Sequence, residues 1–155
     1  MAVWHGQTIT RPITGIIIHC TATRPVWMAS RPLSTQISEV RRWHMRDRGF
    51  ADIGYHRLIG RKGERGDGRP MNKVGAHTIM HNVGTIGVSL IGGFDSAATD
   101  TFLENFTDDQ ESSLVMEIHE LWGAFGKVPV SGHNDWAPKA CPGFKVAAWM
   151  KTVGL

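Results

Sequence analysis

A short stretch near the carboxyl end of the chain, residues 131–144, combines side chains that could bind a metal ion. It holds the imidazole of His133, the ammonium group of Lys139 and the thiol of Cys141. Two prolines and two glycines in this stretch disfavour helix and strand, so the pattern predicts a loop. Neutral imidazole and thiolate are ligands that zinc favours. Two ligands do not complete a site, and a third must come from another part of the chain.

His19 is the best candidate for the third ligand. It follows the apolar run 13–18, whose β-branched residues are typical of a buried strand. In α/β folds the chemistry is usually found at the carboxyl ends of strands, which is where this histidine lies. A histidine and a cysteine eight positions apart are, on their own, more often packing residues than ligands. The strand-end histidine is what favours a metal site.

Composition limits the class of protein. The 155 residues predict one domain, and 41% hydrophobic with 20% charged residues is typical of a globular chain. A net charge of +3 indicates mild attraction to nucleic acid, membrane headgroups or an acidic cell-wall polymer. No basic cluster with interleaved aromatic residues is present, so a nucleic-acid partner is not favoured.

Two further features suggest where the chain works. Cys20 and Cys141 are too few for a disulfide framework, although they could form one bridge. Residues 1–6 lack the basic and apolar regions of a signal peptide, and no stretch reaches membrane-spanning length. We therefore expect a monomer made in the cytoplasm without stable membrane insertion, and any export would need the help of another protein.

The elements that would position these residues can be read from the hydrophobic pattern. Strands are predicted at 13–20, 55–61, 85–91 and 128–130, with a short partner strand around 70–71 after a turn-rich connection at 62–68. Helices are predicted from Ser34 or Thr35 to Gly49, from the capping box Thr107–Gln110 to about Ala124, and over 145–152. The sum is an α/β single domain, 1–155, with a central mixed sheet flanked by helices.

Five segments, in order, resemble a known family: 17–23 (IIHCTAT), 52–56 (DIGYH), 85–93 (TIGVSLIGG), 132–133 (GH) and 138–143 (PKACPG). Together they are similar to the zinc N-acetylmuramoyl-L-alanine amidases that share a fold with peptidoglycan recognition proteins, and among these to the amidase-type phage lysozymes. The resemblance covers residues 13–144. It implies a mostly β central sheet with helices packed on it.

Carried over residue by residue, the resemblance implies one zinc ion (Zn2+) held by His19, His133 and Cys141. It implies Tyr55 and Lys139 as catalytic partners. The implied reaction is hydrolysis of the amide bond between the lactyl group of N-acetylmuramic acid and L-alanine in peptidoglycan, as in a phage or prophage endolysin. The zinc-bearing residues also fit the general chemistry, since three protein ligands leave one tetrahedral position open for water.

Three more residues are predicted to contact substrate. His77 and Asn82 lie in a loop that resembles the rim of the family's substrate groove, and Trp136 is close to His133. Two other functions remain open at this point: a peptidoglycan-binding module without catalysis, and a cysteine hydrolase that uses Cys141 and His133. The presence of both histidines and the cysteine together with Tyr55 and Lys139 favours the zinc amidase over either.

Overall fold

The computed structural model describes residues 1–155. Its strands are β1 (Ala2–Trp4), β2 (Gln7–Ile9), β3 (Gly15–Cys20), β4 (Arg57–Ile59), β5 (Arg65–Asp67), β6 (Thr85–Leu90) and β7 (Val130–Gly132). Its α-helices are α1 (Leu33–Arg42), α2 (Phe102–Asn105), α3 (Asp108–Phe125) and α4 (Val146–Thr152). A π-helical turn (Trp43–Asp47) continues α1, and a 3-10 turn (His133–Asp135) follows β7. None of these helices is long and apolar enough to cross a membrane.

The central sheet has five strands in the order β5-β4-β6-β3-β7. Strands β4, β6, β3 and β7 run parallel to one another, and β5 pairs antiparallel with β4 at the edge. A separate two-stranded hairpin is formed by β1 and β2. The predicted α/β architecture, a mixed sheet flanked by helices, is therefore confirmed.

The two faces of the sheet bury different cores. Alternate residues of β3 point to opposite faces. Ile16, Ile18 and Cys20 join the larger core, which includes side chains of α2, α3 and α4. The other face is covered by α1, whose Leu33, Ile37 and Val40 pack with side chains from β4 and the loops beside it. His19 belongs to this second face, whereas Cys141, in the loop before α4, packs against the main core.

Helix α3 forms where the capping box predicts it. The hydroxyl of Thr107 accepts a hydrogen bond from the Gln110 N–H, and the Gln110 side chain accepts one from the Thr107 N–H, each at 3.1 Å. Acidic residues fill the first turn, where they interact favourably with the helix dipole. Leu114, Ile118 and Leu121 recur at helical spacing and are fully buried against the sheet.

The structure differs from the prediction at several element boundaries. Neither Ser34 nor Thr35 caps α1, because Pro32 occupies the N-cap position and its carbonyl accepts the Thr35 N–H. The partner of β4 is β5, not the segment around residues 70–71, because a tight turn over 60–64 returns the chain at once. Strand β4 begins after Tyr55, and β7 lies two residues later than predicted. The hairpin β1–β2 and the short helix α2 were not predicted, since such short elements carry little periodic signal.

Candidate metal centre

The three predicted ligands come together from separate elements. His19 is the penultimate residue of β3, and His133 directly follows β7. Because β3 and β7 are neighbouring parallel strands with Ile18 opposite Gly132, their next residues lie side by side. Cys141 comes from the loop before α4, and its Sγ lies 3.8 Å from His19 Nδ1. One ligand atom from each residue lies within 4.8 Å of the others, which is a spacing that a single metal ion could bridge.

The loop that carries Cys141 is held by its own hydrogen bonds. The Asn134 side chain donates to the carbonyls of Ala140 and Phe144, at 3.4 and 3.1 Å. The Asp135 carboxylate accepts the Gly132 N–H at 2.8 Å. The thiol itself accepts the Cys20 N–H at 3.3 Å. These contacts position the ligand atoms from within the polypeptide, which lowers the ordering cost of metal binding.

The electrostatic environment keeps both histidines neutral. Burial, and next the nearby His77 and His133, hold the pKa of His19 well below its ordinary value. Burial and the Lys139 ammonium lower the pKa of His133. A neutral imidazole has a free nitrogen lone pair, which is the form that binds a metal. Two neutral imidazoles and a thiol are a donor set that fits zinc.

Tyr55 lies beside the ligands, although it precedes β4 and is not part of it. The centroid of its ring is 5.2 Å from that of His19 and 5.2 Å from that of His44. His44 is itself fixed, because its Nδ1 accepts the Gly54 N–H at 2.8 Å. Burial raises the pKa of Tyr55, and the two cysteines raise it further. The Tyr55 hydroxyl therefore stays protonated at neutral pH and is available as a hydrogen-bond donor.

Lys139 is exposed, in contrast with Tyr55. Its side chain makes no hydrogen bond within the protein, so its ammonium group is free for a ligand. It is nevertheless close enough to lower the pKa values of His19 and His133. The Lys139 ammonium group thus lies near His19 and His133 without a partner in the protein.

The three residues predicted to contact substrate have different surroundings. Only 7% of His77 is exposed, and its Nδ1 lies 2.9 Å from His19 Nε2. The Asn82 side chain accepts the N–H groups of His77 and Thr78, each at 2.8 Å. Trp136 is 48% exposed, and its indole N–H donates to Ser131 Oγ at 2.8 Å. Of the three, Trp136 offers the most open surface to a ligand.

Sequence reasoning did not single out His81 as part of this region. Its ring lies against that of Trp136, with centroids 4.2 Å apart and planes inclined by 35°. The pair connects the loop before β6 to the loop after β7. The one signal in the sequence was that His81 lies four residues after His77. That spacing does not predict a contact with Trp136, which lies 55 residues further along the chain.

The candidate ligands are partly exposed, since His19 is buried whereas His133 and Cys141 are half-buried. An apolar cavity of about 380 Å³ lies elsewhere, between residues 99–103 and α4. None of the candidate ligands or catalytic residues lines that cavity.

Comparisons with known proteins agree with this arrangement. Residues 9–144 match the family described as N-acetylmuramoyl-L-alanine amidase. The chain is 38% identical to the endolysin of Enterobacteria phage K11 over 135 residues, which is 87% of this chain and 83% of that protein. It is 36% identical to the endolysin of Escherichia phage T7 over 134 residues, 86% of this chain and 83% of that one.

Solved structures show the same fold. The endolysin amidase LysCS from Clostridium intestinale superimposes with a TM-score of 0.73 at 22% identity, covering 94% of this chain and 86% of that one. A second match is the ectodomain complex of peptidoglycan recognition proteins LCa and LCx, bound to tracheal cytotoxin. It gives a TM-score of 0.70 at 26% identity, covering 92% of this chain and 83% of that chain. The chain therefore belongs to the N-acetylmuramoyl-L-alanine amidase family, and it is an amidase of the endolysin type.

Proposed function

We propose that this amidase is zinc-dependent and that His19, His133 and Cys141 hold the ion, one per chain. The observation that carries the proposal is the convergence of these three ligand atoms within 4.8 Å, from β3, the end of β7 and the following loop. A zinc ion bound there would supply a Lewis acid for the scissile carbonyl and lower the pKa of a water molecule. The two neutral imidazoles would hold the ion by their free lone pairs.

Tyr55 and Lys139 are proposed as the groups that act on the reacting amide. Amide hydrolysis places negative charge on the former carbonyl oxygen, and a nearby donor stabilises that charge. The buried Tyr55 hydroxyl, whose pKa is raised, can donate such a hydrogen bond without losing its proton. The free ammonium of Lys139 can do the same or attract an acidic stem peptide. Trp136, whose ring packs against that of His81, offers an aromatic surface to the sugar or peptide.

The substrate is proposed to be peptidoglycan, with cleavage between the lactyl group of N-acetylmuramic acid and L-alanine. The endolysin relatives and a recognition-protein neighbour bound to tracheal cytotoxin support this choice. On this proposal the protein acts as a monomer on the cell wall after release from the cytoplasm in which it is made. His77 and Asn82, predicted earlier to touch substrate, are treated separately below.

The reaction can be tested by the bond that breaks. Purified protein should contain one zinc ion per chain by elemental analysis. Digestion of peptidoglycan should release new L-alanine amino groups, detected by dinitrophenylation, while the yield of reducing sugars stays flat. A rise in reducing ends without new amino-terminal alanine would overturn the amide as the target. A glycosidase would require two carboxyl groups beside the sugar bond, whereas the nearby Asp135 is already engaged with the Gly132 N–H.

Two inhibitors separate the proposed enzyme from the alternatives raised by the sequence. A chelator should abolish activity, and added zinc should restore it. A cysteine hydrolase built on Cys141 would survive the chelator and be inactivated by iodoacetamide. A binding module would retain peptidoglycan and clear no cell-wall suspension under either condition.

A further inference from the structure

His77 makes an unusual contact for a residue on a surface loop. Its ring is buried, and its Nδ1 lies 2.9 Å from the Nε2 of His19. Nε2 is the nitrogen of His19 that does not face Cys141, since the thiol lies 3.8 Å from Nδ1. One side of the His19 ring therefore faces the candidate ligands and the other faces His77.

The hydrogen bonds around His77 are satisfied by one arrangement of protons. The Thr85 hydroxyl donates to the His81 carbonyl at 2.6 Å, so its oxygen is left to accept from His77 Nε2 at 3.4 Å. With the proton on Nε2, His77 Nδ1 carries a lone pair and accepts from His19 Nε2–H. The Thr78 hydroxyl lies 3.0 Å from the same Nδ1 and 3.3 Å from His19 Nε2, so it can donate to His77 and also accept from His19 Nε2–H.

This chain of donors has a consequence for His19. Hydrogen bonds run in one direction, from His19 through His77 and Thr85 to the backbone carbonyl of residue 81. A neutral imidazole has one proton, and here that proton is held on Nε2. The lone pair of Nδ1 is thereby directed toward Cys141 before any metal arrives.

The backbone leaves room for the His77 ring in this position. A Cβ atom added to Gly87 of β6, or to Gly75, would lie 2.6 Å from the ring of His77. That separation is shorter than any stable contact between carbon atoms, so a side chain at either position would displace the ring. Gly75 and Gly87 thus leave space for the ring beside His19. The Asn82 side chain holds the backbone there by accepting the His77 N–H at 2.8 Å.

We propose that His77 is a positioning residue that selects the Nε2–H tautomer of His19 and so presents Nδ1 to the metal. The inference rests on the proposed function, because it concerns the ion held by His19. It assigns His77 to the support of a ligand in place of contact with substrate. Such supporting partners typically change metal affinity by about 10- to 100-fold when they are removed.

The test measures zinc affinity and the His19 tautomer, neither of which requires activity. His77→Phe keeps an aromatic ring but has no acceptor, whereas in His77→Asn the amide oxygen takes the place of Nδ1. Competition with a chromophoric chelator should show zinc binding weakened by about 10- to 100-fold in His77→Phe and largely restored in His77→Asn. His81→Phe is the matched control on the same loop, and its zinc affinity should equal that of the wild type.

The tautomer is read from 15N chemical shifts of the histidine rings in zinc-free protein. The wild type should show His19 protonated at Nε2, and His77→Phe should show a mixture with the Nδ1–H form. Thr85→Val, which removes the acceptor of His77 Nε2–H at nearly constant volume, should shift the tautomer in the same direction and serves if His77→Phe fails to fold. Unchanged affinity and tautomer in these variants would overturn the inference. A wild type that binds no zinc, yet shows the Nε2–H tautomer, would instead overturn the proposed metal.

Discussion

The two faces of the central sheet use polar residues in opposite ways. On the α3 face, the buried Glu117 carboxylate accepts hydrogen bonds from Arg57 at 2.5 Å and Arg65 at 2.9 Å, so its charge is paired. On the α1 face, burial keeps His19 and Tyr55 neutral, and both lie beside the candidate metal centre. Strand β3 contributes to both faces, with Cys20 on the first and His19 on the second.

The difference indicates that stability and chemistry are separated by strand alternation. A paired charge in a core is already satisfied and has nothing to offer a ligand. A neutral imidazole or phenol held beside solvent keeps an unused lone pair or proton. Substitutions on the α3 face should therefore change stability, and those on the α1 face should change metal binding or turnover. The following predictions test this separation, from the largest expected effect to the smallest.

Cys141→Ser should give the largest effect. It removes one of three proposed ligands, so zinc affinity and amidase activity should each fall by more than about 100-fold. A loss of about 100-fold is the upper end for residues that only support a ligand. Cys20→Ser is the matched control at the neighbouring cysteine, which is not a proposed ligand although its side chain contacts the Cys141 thiol. It should keep its zinc and lose about 1–3 kcal/mol of unfolding free energy, because a hydroxyl replaces a thiol in an apolar core. Zinc loss from the Cys20 variant would mean that Cys20 is the ligand or that the two thiols are coupled.

Glu117→Gln should destabilise the protein without affecting the site. It leaves Arg57 buried beside a neutral partner, and the cost should be about 3 kcal/mol, near the lower end for broken buried pairs. The lower end applies because the exposed Asp67 still pairs with Arg57. Chemical denaturation measures the loss, and zinc affinity at low denaturant should be unchanged. Glu39→Gln, in the exposed pair with Arg42, is the control and should leave the unfolding midpoint nearly unaltered.

Tyr55→Phe and Lys139→Ala should separate turnover from metal binding. Each removes a proposed donor to the reacting amide while all three ligands remain, so kcat should fall by about 100-fold, or ~3 kcal/mol of transition-state stabilisation. Zinc content and the thermal unfolding midpoint should match those of the wild type. Wild-type kcat in either variant would assign that residue a structural role.

Counted per pH unit, the pH dependence of stability should show the smallest effect, and His56 contributes to it. Burial, with Arg11 and Arg69 nearby, lowers the pKa of His56 from 6.5 to about 4, although the Lys73 carbonyl opposes the shift. Protonation at Nδ1 would break its hydrogen bond from the Gly87 N–H, at 3.0 Å. The unfolded chain therefore takes up a proton below about pH 6.5 and the folded chain does not.

The unfolding free energy should consequently fall as the pH drops from 6.5 toward 4, by at most about 1.4 kcal/mol per pH unit from this residue. In His56→Asn, whose amide oxygen can accept the same N–H, that part of the slope should disappear. His44, whose pKa burial also lowers to about 4, should maintain a residual slope of the same sign. Replacing the exposed His119 by Asn is the control, and an equal flattening there would exclude His56 as the cause.

The sequence by itself determined the elements with strong periodic signals and the motif residues. The apolar runs of β3 and β6 and the capping box of α3 are local patterns, so they were predicted without knowledge of any partner. The family resemblance likewise depends on short segments in a fixed order, and the comparisons confirmed it. Short elements such as β1, β2 and β5 have too few residues to show a period.

Only the tertiary structure decided which side chains lie close together and which chemical role each can have there. His19 and His133 are 114 positions apart in the sequence, and it is the pairing of β3 with β7 that sets their rings 4.7 Å apart. His77 was predicted at a substrate rim from its loop, yet its ring enters the gap left by Gly87 and meets His19. Such contacts depend on strand order, on the absence of a Cβ and on burial, and none of these is a property of a segment taken alone.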